Sequence, residues 1–213
     1  MNTFLNINKQ ISPDNNIYYF NNNIDVRICP KNAMSTIKNV AHLLNDDHHD
    51  NQTLPAMWRV QNVREKCDRI NPPFRKGTTR YAIKRDPLER FLSGYRFLKM
   101  HHGVAMSIDE TLDKLETGEY KYEPHYMSQS FFMGYPEDYD KVYDIKDTIT
   151  LLHILYKNRE ESSEIVPENL VVNLHVNMTH DQKHLGGFEL EDEQINRVKI
   201  LYETDYKRGW HGN

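Results

Sequence analysis

One stretch constrains the fold of this chain more than any other: Thr78 to Leu98, "TTRYAIKRDPLERFLSGYRFL". Thr78–Lys84 alternates as a strand does and stops at Arg85-Asp86-Pro87. Asp86 is a natural N-cap, Pro87 suits the first helical position, and Glu89 is spaced to complete a capping box. Leu88, Phe91, Leu92 and Tyr95 then mark one buried helical face. A strand that passes into a helix through so short a turn is half of a parallel β–α unit.

The same alternation runs through the chain. Ile24–Cys29 predicts a strand, and apolar residues at 34, 37, 41 and 44 predict a helix after it. Residues 56–63 read as a second strand, 78–84 as a third, 141–145 and 170–174 as later ones. Ser107 and Glu110 form a second capping box, before a helix that Gly118 ends. Thr148–Tyr156 and Glu191–Tyr206 complete the helices, the latter through Ile195, Val198, Leu201 and Tyr202. Strands alternating with helices imply an α/β domain, three layers with a mostly parallel central sheet. Residues 1–23, polar and rich in asparagine, are expected to be an N-terminal arm or hairpin, and residues 24–213 the domain itself.

Charge and cysteine usage narrow the function classes. A formal net charge of −4 means that an anionic ligand must be met by a local cluster of Lys and Arg, which argues against a nucleic-acid binder. The two cysteines, Cys29 and Cys67, suit free thiols in a reducing compartment better than a disulfide framework. No window approaches the ~18 to 20 apolar residues of a membrane span. The expectation is a soluble, cytoplasmic protein with no membrane partner. "DDHHD" at 46–50 and the His180/His184 pair read as solvated loops, so no metal is assigned.

The loop "RICPKNAMSTIKNV", residues 27–40, has the outline of a phosphate-binding turn: a strand, a lysine, small hydroxyl residues and a helix start. It contains no glycine and is not a Walker A sequence. Set beside "RDPLERFLSGYRFL", it resembles the first of the two cofactor-binding motifs of the sulfotransferases, most closely those acting on carbohydrates. Pro30, Lys31, Thr36 and Lys38 carry the first motif; Arg85, Asp86, Pro87, Arg90, Ser93 and Tyr95 carry the second. "EPHYMSQS" at 123–130 is similar to the H-[WY]-x-x-Q segment that follows, and "YETDYKRGW" to the family's Y-x-x-D-[YF] ending.

The resemblance implies a P-loop-like sulfotransferase fold and 3′-phosphoadenosine 5′-phosphosulfate (PAPS) as donor. Carried over by position, Lys31, Asn32, Ala33, Met34, Ser35 and Thr36 would cradle the 5′-phosphosulfate, with Lys31 near the departing oxygen. Arg85 and Ser93 would hold the 3′-phosphate, and His125 would be the base at the hydroxyl of a carbohydrate or related acceptor. Glu123, His101 and His102 compete for the base role. Departing from the familiar loop, Ala33 stands where glycine is common. A P-loop nucleotide kinase and a non-catalytic nucleotide-binding protein are the alternatives. Without an anchor, a bacterial or viral setting fits better than the Golgi. Acceptor identity and oligomeric state are open.

Overall fold

The computed structural model describes residues 17–20, 23–34, 36, 37, 40, 74–103, 105–121, 123–157 and 189–211. The strands expected at 56–63 and 170–174, both histidine-rich loops and Cys67 lie outside these residues.

Among the described residues, four strands form one sheet in chain order: β1 (Ile17–Phe20), β2 (Ile24–Arg27), β3 (Thr79–Lys84) and β4 (Lys141–Asp144). β2, β3 and β4 run parallel, with Val26 opposite Tyr81 and Ala82 opposite Val142. β1 turns back through Asn23, at φ 58°, and pairs antiparallel with β2. The buried carboxylate of Asp25 fastens this edge, accepting from the backbone N–H and Nε of Arg75 and from Thr78 Oγ1.

Side-chain alternation along the strands explains the layers. Ile24, Val26, Ile28 and Ile83 point to one face and pack with Ile37, Val40, Leu151, Leu152 and Leu155. Cys29 and Ala82 point to the other and meet Phe132, Met133, Tyr139 and Trp210. Both faces of a parallel sheet are therefore covered, which gives the expected α/β fold.

The helices follow their caps. In α1 (Pro87–His102) Asp86 accepts from the backbone of Leu88 and Glu89, and Gly103 closes the C-terminus at φ 62°. The capping box expected from Glu89 does not form, because its carboxylate turns to Arg85 Nε, 3.6 Å away. In α2 (Ile108–Glu116) the Ser107–Glu110 box is complete. A short helix unmarked in the sequence, α3 (Gln129–Met133), starts at Ser128. α4 (Thr148–Lys157) lies on the first face of the sheet.

The helix expected over 191–206 is broken into α5 (Asp192–Leu201) and α6 (Glu203–Lys207) by Tyr202, which leaves the helical region at φ −105°, ψ 23°. Its hydroxyl donates to Tyr126 O at 2.6 Å, so a tertiary bond holds the break. α1, α2 and α5 share a core of Phe91, Tyr95, Leu98, Leu112, Tyr126 and Val198. Arg197 of α5 clamps α2 through Asp113 and Glu116.

Candidate active site

The loop at 28–37 and residue Arg85 follow adjacent parallel strands, β2 and β3, at their carboxyl ends. That edge of a parallel sheet is where open α/β folds bind ligands.

The loop does without glycine by placing ordinary residues in the left-handed region: Lys31 at φ 73° and Ala33 at φ 59°. Such residues are held there only when their surroundings fix them. Asn32 between them is fully buried and supplies the fixing: its Nδ2 donates to Ile83 O at 2.8 Å and to Gln129 Oε1 at 2.5 Å. Ala33 and Met34 are half-buried and pack their side chains against the core. Thr36 is half-buried on the first helical turn. Ser35 and Lys38 lie outside the described residues.

Two arginines brace the loop from α1 and its cap. Arg85 Nη1 donates to Lys31 O at 3.2 Å, and Arg90 Nε to Pro30 O at 3.1 Å. Arg90 is completely buried and also reaches Pro124 O, tying the loop to the segment that carries His125. Arg90 Nη1 is buried and makes no hydrogen bond, and Arg85 Nε faces the Glu89 carboxylate at 3.6 Å. Burial, with Arg85 and Arg90 adding like charge, pulls the Lys31 ammonium down to about 8. Three cations around one loop, with Glu89 paired to Arg85, leave a surplus of positive charge that fits an anion. Ser93 is half-buried on the same helix. The neighbouring Cys29 thiol is buried and pushed up to about 11 by desolvation, which suits a structural thiol.

Phe97, one turn beyond Ser93, gathers the remaining groups. The Lys31 ammonium lies 4.3 Å from its ring centroid, and the His125 imidazole stacks on it at 4.6 Å. Those two distances bound the separation of lysine and histidine by their sum. Glu123 Oε1 is 2.5 Å from His125 Nδ1 and also accepts from the His125 backbone N–H at 3.2 Å. The carboxylate that competed with His125 in the sequence is thus its hydrogen-bond partner. A carboxylate partner assigns a proton to Nδ1, so in the neutral ring Nε2 is the acceptor. His101 and His102 lie at the end of α1, their side chains outside the described residues.

Gly94 decides how close this segment comes. A Cβ there would stand 2.8 Å from His125 O and 3.3 Å from Tyr126 Cε1. A methyl-free position in the middle of α1 lets the histidine segment rest directly on the helix.

A scan against family models matches residues 16–147, more than half of the 213-residue chain, to the model described as "Sulfotransferase family". This protein belongs to the sulfotransferase family. Searches of curated proteins and of solved structures gave no match. The matched span of this sulfotransferase takes in the loop, both arginines, Phe97, Glu123, His125 and Gln129. Family membership supports sulfuryl transfer as its reaction. Among the described residues no group of three or more His, Cys, Asp or Glu side chains is arranged to hold a metal ion, and no helix is long and apolar enough to cross a membrane.

Sequence reasoning missed Gln129, Asp205 and Phe97 as parts of the site. Gln129 and Asp205 sat inside motifs quoted for their likeness, and a buried polar residue within such a motif was the available signal. Phe97 lies opposite the apolar face of Leu88, Phe91, Leu92 and Tyr95, and an aromatic on the face that carries Arg90 and Ser93 was the available signal.

Proposed function

We propose that this sulfotransferase uses PAPS as donor and acts on a hydroxyl of a carbohydrate or a related small acceptor. The observation that carries the reading is the crowding of Lys31, Arg85 and Arg90 around one loop at the carboxyl ends of adjacent parallel strands. The carbohydrate preference is supported only by the order of "RDPLERFLSGY" and "EPHYMSQS" in the chain.

When bound, the donor supplies an activated sulfuryl group and a nucleotide bisphosphate that leaves. The residues of the chain divide the remaining work. Lys31 and the loop backbone through Thr36 hold the 5′ end, and Arg85 with Ser93 holds the 3′-phosphate. Arginine's planar fork matches a phosphate, whereas lysine supplies a compact charge close to the departing oxygen. His125 takes the acceptor proton at Nε2, and Glu123 on Nδ1 fixes that tautomer and stabilises the imidazolium that forms. Phe97 keeps lysine and histidine at one place. Positioning and charge do most of the work in such group transfers.

Calorimetric binding of 3′-phosphoadenosine 5′-phosphate, beside ADP and AMP, tests this on the wild type and Arg85→Ala. Tight binding that needs both the 3′-phosphate and Arg85 supports the donor assignment. Indifference to the 3′-phosphate overturns it and favours a nucleotide kinase.

A further inference from the structure

We infer that Gln129 is the positioning residue of the donor site, a single buried amide that sets the loop at Lys31 against Arg85 from the C-terminal side of the molecule. The inference rests on the reading of the loop and Arg85 as the donor-binding elements.

A primary amide has two N–H donors and two acceptor lone pairs, and Gln129 uses them all. Oε1 accepts from Asn32 Nδ2 at 2.5 Å and from the backbone N–H of Arg85 at 2.9 Å. Nε2 donates to Arg85 O at 2.7 Å and to Trp210 O at 2.8 Å. Both backbone groups of Arg85 are thus met by one side chain, as a neighbouring strand would meet them just beyond the end of β3. The amide has one possible orientation here, because a flip would set its NH₂ against two donors and its oxygen against two carbonyls.

The residue that presents this amide is itself fixed from a distance. The buried carboxylate of Asp205 accepts from the backbone N–H of Gln129 at 2.9 Å and of Ser130 at 2.7 Å, capping α3 from α6. Asn32 sits between the two left-handed residues of the loop, so a bond to its side chain holds both. The shape that the loop offers an anion therefore depends on residues 205–210, which lie outside the family-matched span. None of these contacts needs Gln129 to touch the donor, and its role is exerted through Asn32 and Arg85.

Two substitutions test this by calorimetry with 3′-phosphoadenosine 5′-phosphate, alongside wild type and Arg85→Ala. Gln129→Glu keeps shape and acceptors but points carboxylate oxygen at the carbonyls of Arg85 and Trp210. A fall in affinity of about tenfold or more is expected, from the loss of two buried bonds and the setting of a carboxylate oxygen against two carbonyls. Part of it should return as the pH is lowered and the carboxyl gains a proton to donate. Asp205→Asn, which changes no group on the loop or Arg85, should weaken binding several-fold while thermal melting stays cooperative. Wild-type affinity in either variant, folded by circular dichroism, overturns the inference; if Gln129→Glu does not fold, Asp205→Asn alone decides. Failure of the wild type itself to bind, or binding indifferent to Arg85, would instead remove the donor reading beneath it.

Discussion

Arg85 donates to the carbonyl oxygen of Lys31 across 3.2 Å, so the backbone of one cation is held by the side chain of another. The pairing brings like charges together in a partly buried place, and its consequence is electrostatic. The Lys31 ammonium falls from its ordinary 10.5 to about 8 through burial, Arg85 and Arg90, in that order. In the unfolded chain it keeps its proton to the ordinary value, so between about 8 and 10.5 the unfolded state binds more protons. Lys31 should therefore contribute stability that rises with pH from about 8, opposed above about 9 by Cys29, whose thiol is held up to about 11 in the folded protein. On the proposed donor site, nucleotide affinity should move the other way, since deprotonation removes a charge that the anion would use. Thermal melts and calorimetry between about pH 8 and 9 check the divergence, and Lys31→Met should remove the rising part of the stability curve and the fall in affinity; parallel curves in wild type and variant would refute it.

The Glu123–His125 contact leads to a split between binding and turnover. His125→Ala is expected to lower kcat by about 10²- to 10⁴-fold, the usual contribution of a general base. Affinity for the nucleotide should change little, because His125 is assigned to the acceptor side. Glu123→Gln should lower kcat less, by roughly tenfold, since the imidazole stays stacked on Phe97 but loses the carboxylate that fixes its tautomer. Steady-state kinetics with calorimetry on both variants separates these effects. Equal losses of binding and turnover would remove His125 from the base role.

Gly94→Ala sets helix propensity against packing. Alanine favours a helix interior by roughly 1 kcal/mol over glycine. The new methyl would stand 2.8 Å from a backbone oxygen, that of His125, which cannot swing aside as a side-chain tip does. Packing should win, with a net loss of ~1 to 3 kcal/mol. A melting temperature lower by several degrees, with a fall in kcat as His125 is displaced, is the expected result. A more stable variant would mean that the segment at 123–126 yields easily.

Ala33 offers the opposite sign. At φ 59° its Cβ is strained by roughly 1 kcal/mol or more, and glycine would relieve that. Glycine also loosens the unfolded chain, which offsets about 0.5 to 1 kcal/mol. Ala33→Gly should thus be neutral or slightly stabilising, and Ala33→Val, β-branched at a left-handed position, clearly destabilising. Denaturant unfolding of the pair measures the difference, and equal losses in both would show that the φ value is not what constrains the site.

What the sequence disclosed depended on whether the physics was local. Asp86 and Ser107 cap the helices they announce, and the alternation in 24–29 and 79–84 fixes strands whose opposite faces fill different cores. Lys31 and Arg85 were visible as charges near predicted strand ends, and the structure brings them together. The break at Tyr202 escaped because its cause is a hydroxyl bonded to Tyr126, far away in the chain. Glu89 left its box for Arg85, a choice that helix spacing alone does not decide. α3 is only five residues long, too short to show a period, and its N-terminus is stabilised by Asp205 from the other end of the chain.

The left-handed Lys31 and Ala33 bear on when the site becomes ordered. A glycine-rich turn visits many conformations and lets its ligand select among them, so part of the ordering entropy falls on the binding step. Here side chains limit the alternatives, and Asn32 is bonded before any anion arrives. Ordering of this loop belongs to folding, and association should proceed as to a rigid receptor, its rate set by encounter and charge and not by rearrangement.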